Sequence, residues 1–223
     1  WRNPNNNFET TSEIFSVRVF ENKSFEHSPE VLTYLVNSSS SESENLIIEN
    51  TGNTLLQGFD INCSSGDLCD ELEVDYNDSD FDIEKNKSKV INITLSASAG
   101  LFAGSYSGYL NISNEDLFKE VQIQANVPET KTWELNTTNL SGIKGAGSSG
   151  IFGLIKIINT GNVNMTYNLK SYNESIFGVN ESSLVVPLGQ NRIFSINFTT
   201  PNQEGVYAEN ISITNTDSSA NPV

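Results

Sequence analysis

Apolar and polar positions alternate at a period of two in short stretches along the chain. Ile91, Ile93 and Leu95 do so, as do Phe194, Ile196 and Phe198. Leu110 and Ile112 repeat the pattern, then Ile211 and Ile213, and Val121-Gln122-Ile123-Gln124 adds another run. A period of two marks a strand with one face in a core and one in water. No segment has a convincing helical period. Short strands separated by Gly, Asn and Ser turns predict an all-β chain of packed antiparallel sheets.

Two landmarks occur twice, in the same order. Glu49-Asn50-Thr51-Gly52-Asn53 follows Leu46-Ile47-Ile48 and returns as Ile158-Asn159-Thr160-Gly161-Asn162. Gly104-Ser105-Tyr106 returns as Gly205-Val206-Tyr207. Order and spacing together indicate an internal duplication. Asn-Thr-Gly-Asn suits a sharp turn, in which Gly is expected to take positive φ and Asn to bond nearby backbone. The expected boundaries are an N-terminal extension at 1–28 with a strand at 14–20, one module at 29–127 and a second at 128–223. Pro29 and Pro128 mark the joins, and His27 reads as part of a loop before the first module.

A net charge of −16 argues against nucleic acid and anionic membrane as partners. No apolar run is long enough to cross a bilayer, so no membrane insertion is expected in this segment. Trp1 opens the chain without an initiator Met, which reads as a mature or excised product. Asn-x-Ser/Thr acceptors stand at Asn22, Asn37, Asn62, Asn77, Asn86, Asn92, Asn111, Asn136, Asn139, Asn164, Asn173, Asn180, Asn197 and Asn210. That is fourteen, where chance predicts about six. N-linked glycans are therefore expected, at Asn92, Asn111 and Asn197 above all, since these alternate with apolar residues and read as outward-facing. The alternative is accidental acceptors in a chain rich in Asn and Ser.

Cys63 and Cys69 flank Ser-Ser-Gly-Asp-Leu, and the expectation is a disulfide between them. The alternative is two unrelated reduced thiols. Nothing points to catalysis. His27 is the single histidine, and Gly145-Ala146-Gly147-Ser148-Ser149-Gly150 leads into a strand, where a nucleotide-binding turn needs a helix. The acidic run Asp75, Asn77, Asp78, Asp80, Asp82 and Glu84 offers oxygen ligands for Ca2+, but its spacing fits a solvated strand edge better. No other cofactor is expected.

On Asn50-Thr51-Gly52-Asn53, Asn159-Thr160-Gly161-Asn162 and the two Gly-x-Tyr stretches, residues 30–216 resemble the Ig-like repeats of archaeal and bacterial surface proteins. The resemblance implies two tandem Ig-like antiparallel β-sandwich modules. It places the chain with surface-layer components, adhesins, filament subunits and spacers appended to enzymes.

On an ungapped alignment of the copies Val223 corresponds to Gln122, so the second module is expected to lack its last strand. The run at 14–20 is a spare strand of similar pattern, with Ile14, Phe15, Val17 and Val19 as its candidate assembly residues. Strand addition between copies, head to tail, then gives a glycosylated extracellular filament or surface layer, as in donor-strand filaments. The alternatives are a fragment of a longer tandem surface protein or adhesin, and a carbohydrate-binding module. The last needs an exposed row of aromatics, and Trp1 and Trp133 lie too far apart in sequence to suggest one.

Overall fold

The computed structural model describes residues 16–216, which form sixteen strands and one short helix. The first sandwich contains β1 (Phe25–Ser28), β2 (Val31–Leu35), β3 (Ser41–Asn50), β4 (Leu56–Ser65), α1 (Asp67–Glu71), β5 (Glu73–Tyr76), β6 (Phe81–Ile83), β7 (Ser88–Ser96), β8 (Gly104–Ser113) and β9 (Phe118–Val127). The second contains β10 (Trp133–Leu135), β11 (Ser149–Asn159), β12 (Met165–Ser171), β13 (Phe177–Val179), β14 (Ser183–Val186), β15 (Asn191–Thr199) and β16 (Ile211–Asn215). The chain is all-β, as the alternation predicts, and forms the pair of Ig-like sandwiches that the resemblance implies.

In the first sandwich a sheet of order β1-β3-β7-β5 packs on one of order β2-β9-β8-β4-β6. The second repeats β1-β3-β7-β5 as β10-β11-β15-β13, and β6-β4-β8 as β14-β12-β16. Among the described residues nothing takes the place of β9 or β2. Residue-level bonds repeat as well. Asn77 Oδ1 accepts from Asn92 N at 2.8 Å, and Asn180 Oδ1 accepts from Ser195 N at 2.6 Å. A β-bulge in β11 between Ile151 and Gly153 adds the one residue by which that strand outruns β3.

The alternation becomes two cores. Leu46, Ile48, Ile91, Ile93 and Leu95 meet across β3 and β7 with no exposure at all, while Asn45, Thr94 and Ser96 face outward. Burying each large apolar chain of this kind contributes about 1.5–3 kcal/mol. Phe25 packs edge-on against Phe59 at 5.1 Å, and Trp133 against Tyr167 at the same separation. Among the described residues the first core holds twenty-four buried residues and the second ten, so the second sandwich is much the less closed.

Four expectations need correction. The first module begins before residue 29, because β1 pairs along its length with β3 and carries Phe25 into the core. His27 therefore lies on a strand, its Nδ1 within 3.2 Å of Pro29 O, and not in a loop between modules. The sheets are not wholly antiparallel: β2 runs parallel to β9, since the chain crosses from one sheet to the other after Ser28. Residues 16–24 form no strand in this chain, and the rest of the 14–20 run, Ile14 and Phe15, lies outside the described residues.

Candidate assembly groove

Each Asn-Thr-Gly-Asn turn is a clasp with two halves. The first Asn is buried and ties its turn to the neighbouring sheet. Asn50 Nδ2 donates to Thr54 O and Ile83 O at 2.8 and 2.9 Å, and its Oδ1 accepts from Gly52 N at 2.9 Å. Asn159 does the same with Val163 O, Val186 O and Gly161 N at 2.8, 3.0 and 3.0 Å.

The second Asn grips the chain entering the sandwich. Asn53 Nδ2 donates to Phe20 O at 2.8 Å, while its Oδ1 accepts from Asn22 N at 2.8 Å. Asn162 Nδ2 donates to Pro128 O at 2.9 Å, and its Oδ1 accepts from Thr130 N at 2.6 Å. Gly52 and Gly161 are not in the left-handed region, contrary to expectation. They are glycine because the incoming backbone passes over them: an added Cβ would collide with Asn22 O in one copy and Thr130 O in the other.

The clasps make residues 20–24 equivalent to 128–132, with Phe20 in the place of Pro128. In the second sandwich Pro128 directly follows β9. β9 is a central strand, with β8 on one side and β2 on the other, and it buries Val121, Ile123, Ala125 and Val127.

Among the described residues the second sandwich is open where β9 and β2 would lie. β8 runs ten residues, but its counterpart β16 runs only five. The cause lies in its neighbours. β4 pairs with β8 only over Tyr109 to Ser113, and β12 holds the matching half of β16. The other half of β8 pairs with no strand but β9 and has α1 on its far side, where Asp67 accepts from Ser107 N, and the matching residues 205–210 form no strand. Residues 139–143, which match β2, form none either. Between them lies a groove of about 1030 Å3 lined by Leu135, Leu140, Phe152, Phe177, Ile211 and Ile213, among others.

All six of those side chains are only partly buried. Trp133 also lines the groove, and its buried Nε1–H has no partner among the described residues. Lys144 lies over the Phe152 and Phe198 rings at 5.7 and 5.0 Å. Tyr207 keeps the bond of its twin, donating from its hydroxyl to Gln203 O at 3.1 Å as Tyr106 does to Phe102 O at 2.8 Å. The sequence reading missed the loss of a β2 counterpart. Gly142 standing where Tyr34 lies in β2 was the available signal.

At the other end of the chain Val17, Val19 and Phe20 are 87, 77 and 74% exposed. Three neighbouring apolar chains in water, next to a clasp, are a surface without a partner.

The remaining candidates are spread over the surface. Cys63 and Cys69 are bonded, with Cα atoms 5.6 Å apart, and the bond closes the loop that carries α1. Such a bond belongs to an oxidising compartment. Twelve of the fourteen acceptor asparagines are exposed. Asn92 and Asn111 lie on the outward face, alternating with buried neighbours as expected, but are half-buried there. Asn92 Nδ2 donates to Asn45 Oδ1 at 3.2 Å, and Asn111 Oδ1 is buried without a partner. In the acidic run Asp78 pairs with Lys89, and Asp82 Oδ1 accepts from Gly58 N. Among the described residues no three potential metal ligands converge, and no helix is long and apolar enough to cross a membrane.

No protein-family model and no curated protein matches the chain. Among solved structures it is similar to a protein of unknown function from Porphyromonas gingivalis W83, at 14% identity and TM-score 0.38 over 78% of this chain and 83% of that one. It is also similar to PapD-like domain 7 of human CEP192, at 10% identity and TM-score 0.40 over 55% of this chain and 98% of that one. The E. coli chaperone DraB follows at 11% identity and TM-score 0.35, over 78% and 84%. At these values the likenesses bear on nothing beyond the sandwich fold, which the strand order establishes by itself.

Proposed function

We propose that the chain is a structural subunit that assembles head to tail with copies of itself, the apolar segment before Phe20 of one copy filling the open groove of another. The groove carries this reading. It combines a stretch at 205–210 that forms no strand where β8 has one, partly buried core side chains and an exposed apolar segment on the same chain. Unpaired strand edges over an open core are the substrate of strand addition, and head-to-tail addition builds an open line. The exposure of twelve acceptor asparagines and the Cys63–Cys69 bond support a glycosylated filament or surface layer outside the cell.

A second reading, a stretch of a longer tandem protein whose own next strand fills the groove, is favoured by one observation. Residues 20–24 enter the first sandwich as 128–132 enter the second, so the segment before Phe20 stands where the last strand of a preceding sandwich would. An intact mass of the native polypeptide separates the two readings.

The test of the first is self-association of the whole chain, followed by analytical ultracentrifugation and electron microscopy. The chain is expected to form concentration-dependent oligomers. Val17→Asp, whose charge would lack a partner in the groove, and removal of residues 1–18, which spares the Phe20 carbonyl held by Asn53, are each expected to leave monomers with the same unfolding profile. Variants that assemble as well as the parent chain would refute the reading.

A further inference from the structure

We infer that residues 14–19 of a second copy enter the groove in one register, as a central strand, with Val19, Val17 and Phe15 where Val127, Ala125 and Ile123 lie in β9. The inference rests on the proposed assembly and adds its geometry. The clasp sets the phase. Phe20 O is held by Asn53 as Pro128 O is held by Asn162, so counting back from each gives the same positions. A slip of one residue would turn Ile14, Ser16 and Arg18 inward and is excluded by the charge on Arg18.

The neighbours follow from the first sandwich. Val127 faces Gly104, Asn126 faces Ser105 and Ala125 faces Tyr106. The second copy's Val19 therefore faces Gly205, its Arg18 faces Val206 and its Val17 faces Tyr207. Arg18 then sits diagonally from Glu204, a favourable charge pairing on the solvent side. The match ends at Glu13, which takes the place of Val121 beside Ile211, so three apolar chains enter where β9 contributes four.

The far edge of the inserted strand is covered as well. β2 pairs in parallel with β9 from Val31 opposite Gln122 to Leu35 opposite Asn126. Residues 139–143 stand in its place and are expected to become a parallel strand beside the second copy's residues 14–18. Residues 205–210 become the missing half of β16 on the other side. The bond from Ala103 N to Asn162 O at 3.0 Å, which joins the two sandwiches of one chain, has a counterpart from Glu204 N to Asn53 O between copies. Successive sandwiches along the line would thus share one spacing, within a chain and across the joint.

The test is disulfide trapping in the full chain carrying Arg18→Cys and Val206→Cys, both at exposed positions. A covalent ladder under oxidation is expected, lost in Arg18→Cys with Ala208→Cys, which is two residues out of register. A second measurement uses the Val17→Asp chain, whose own segment cannot compete, with a synthetic peptide of residues 11–21. Amide exchange is expected to slow at 205–210 and at 139–143 together. Oligomers that trap through position 208, or protection at 205–210 alone, overturn the register or the central placement while leaving the assembly intact. A chain that neither assembles nor binds the peptide overturns the assembly and this geometry with it.

Discussion

Asn162 holds the carbonyl oxygen of Pro128 at 2.9 Å, which fixes the chain at the point where it leaves one sandwich and enters the next. Because Asn162 is almost wholly buried, the joint is part of the second fold and is not a free tether. Asn162→Ala strips Thr130 N and Pro128 O of their partner, and two part-buried bonds at about 0.5–1.5 kcal/mol each contribute about 1–3 kcal/mol. Urea unfolding should shift by that amount. An unchanged midpoint would mean that the linker is held by other contacts.

Asn50 and Asn159 each satisfy two carbonyls and one N–H inside the fold. Asn50→Ala and Asn159→Ala should each destabilise by roughly 2–4 kcal/mol, as multiple buried partners are lost. Asp at either position keeps the bond to the glycine N–H but loses both donors to carbonyls, so it should not rescue stability. Denaturant melts of the single variants check both statements.

Gly161→Ala should cost about 1–3 kcal/mol, since the new methyl meets backbone and not a yielding side chain. Gly52→Ala should behave alike. At Gly58 an added Cβ meets open space, and only its φ of 66° opposes a side chain. Asn should be tolerated there and not at Gly161. Equal losses for Gly161→Asn and Gly58→Asn would show that conformation, and not the incoming backbone, selects glycine in the clasp.

Burial raises the phenols of Tyr34 and Tyr167 well above their ordinary range and pushes Tyr76 up to about 12. The folded chain therefore keeps protons that the unfolded chain releases once pH passes about 10. Stability should be insensitive to these groups below that pH and fall as pH rises above it. Denaturant midpoints at pH 9 and pH 11 test the sign. A midpoint that holds steady across this interval would contradict it.

The strand pattern was legible because β3, β7, β11 and β15 each bury one face, which writes period two into Leu46, Ile48, Ile91 and Ile93 and their twins. The duplication and the Cys63–Cys69 loop were legible for the same local reason. What escaped depends on distant backbone. β1 is four residues ending before a proline, and only its pairing with β3 makes it a strand. The parallel pairing of β2 follows from a crossing between sheets that no short pattern records. α1, at five residues, is too short to show a helical period. The glycine of each clasp answers incoming backbone that lies some thirty residues upstream, at Asn22 and Thr130.

Opening the Cys63–Cys69 loop should cost about 2 kcal/mol on the chain-entropy estimate for so short a loop. The loss should fall on the first sandwich, where α1 buries Leu68 against β8. Cys63→Ser with Cys69→Ser, compared by thermal unfolding with the parent chain, gives the number. No loss at all would mean that Leu68 alone holds the loop.

Glycan mapping of protein from its native cells should find Asn62 and Asn197 occupied and Asn111 bare, because Asn111 is half-buried with its Oδ1 shut away from water. Asn92, whose Nδ2 already serves Asn45, should be the next least occupied. Full occupancy at Asn111 would require β8 to open at that point.

The first sandwich has β9 sealed between β8 and β2, whereas the second has no such strand among its described residues. That asymmetry gives the molecule a front and a back. In a line of copies joined as proposed, one tip would offer the vacant slot and the opposite tip the exposed Val17, Val19 and Phe20. Growth and capping at the two tips are then chemically different events, and a cell that blocks only the slot, or only those side chains, sets the length of the line from one side.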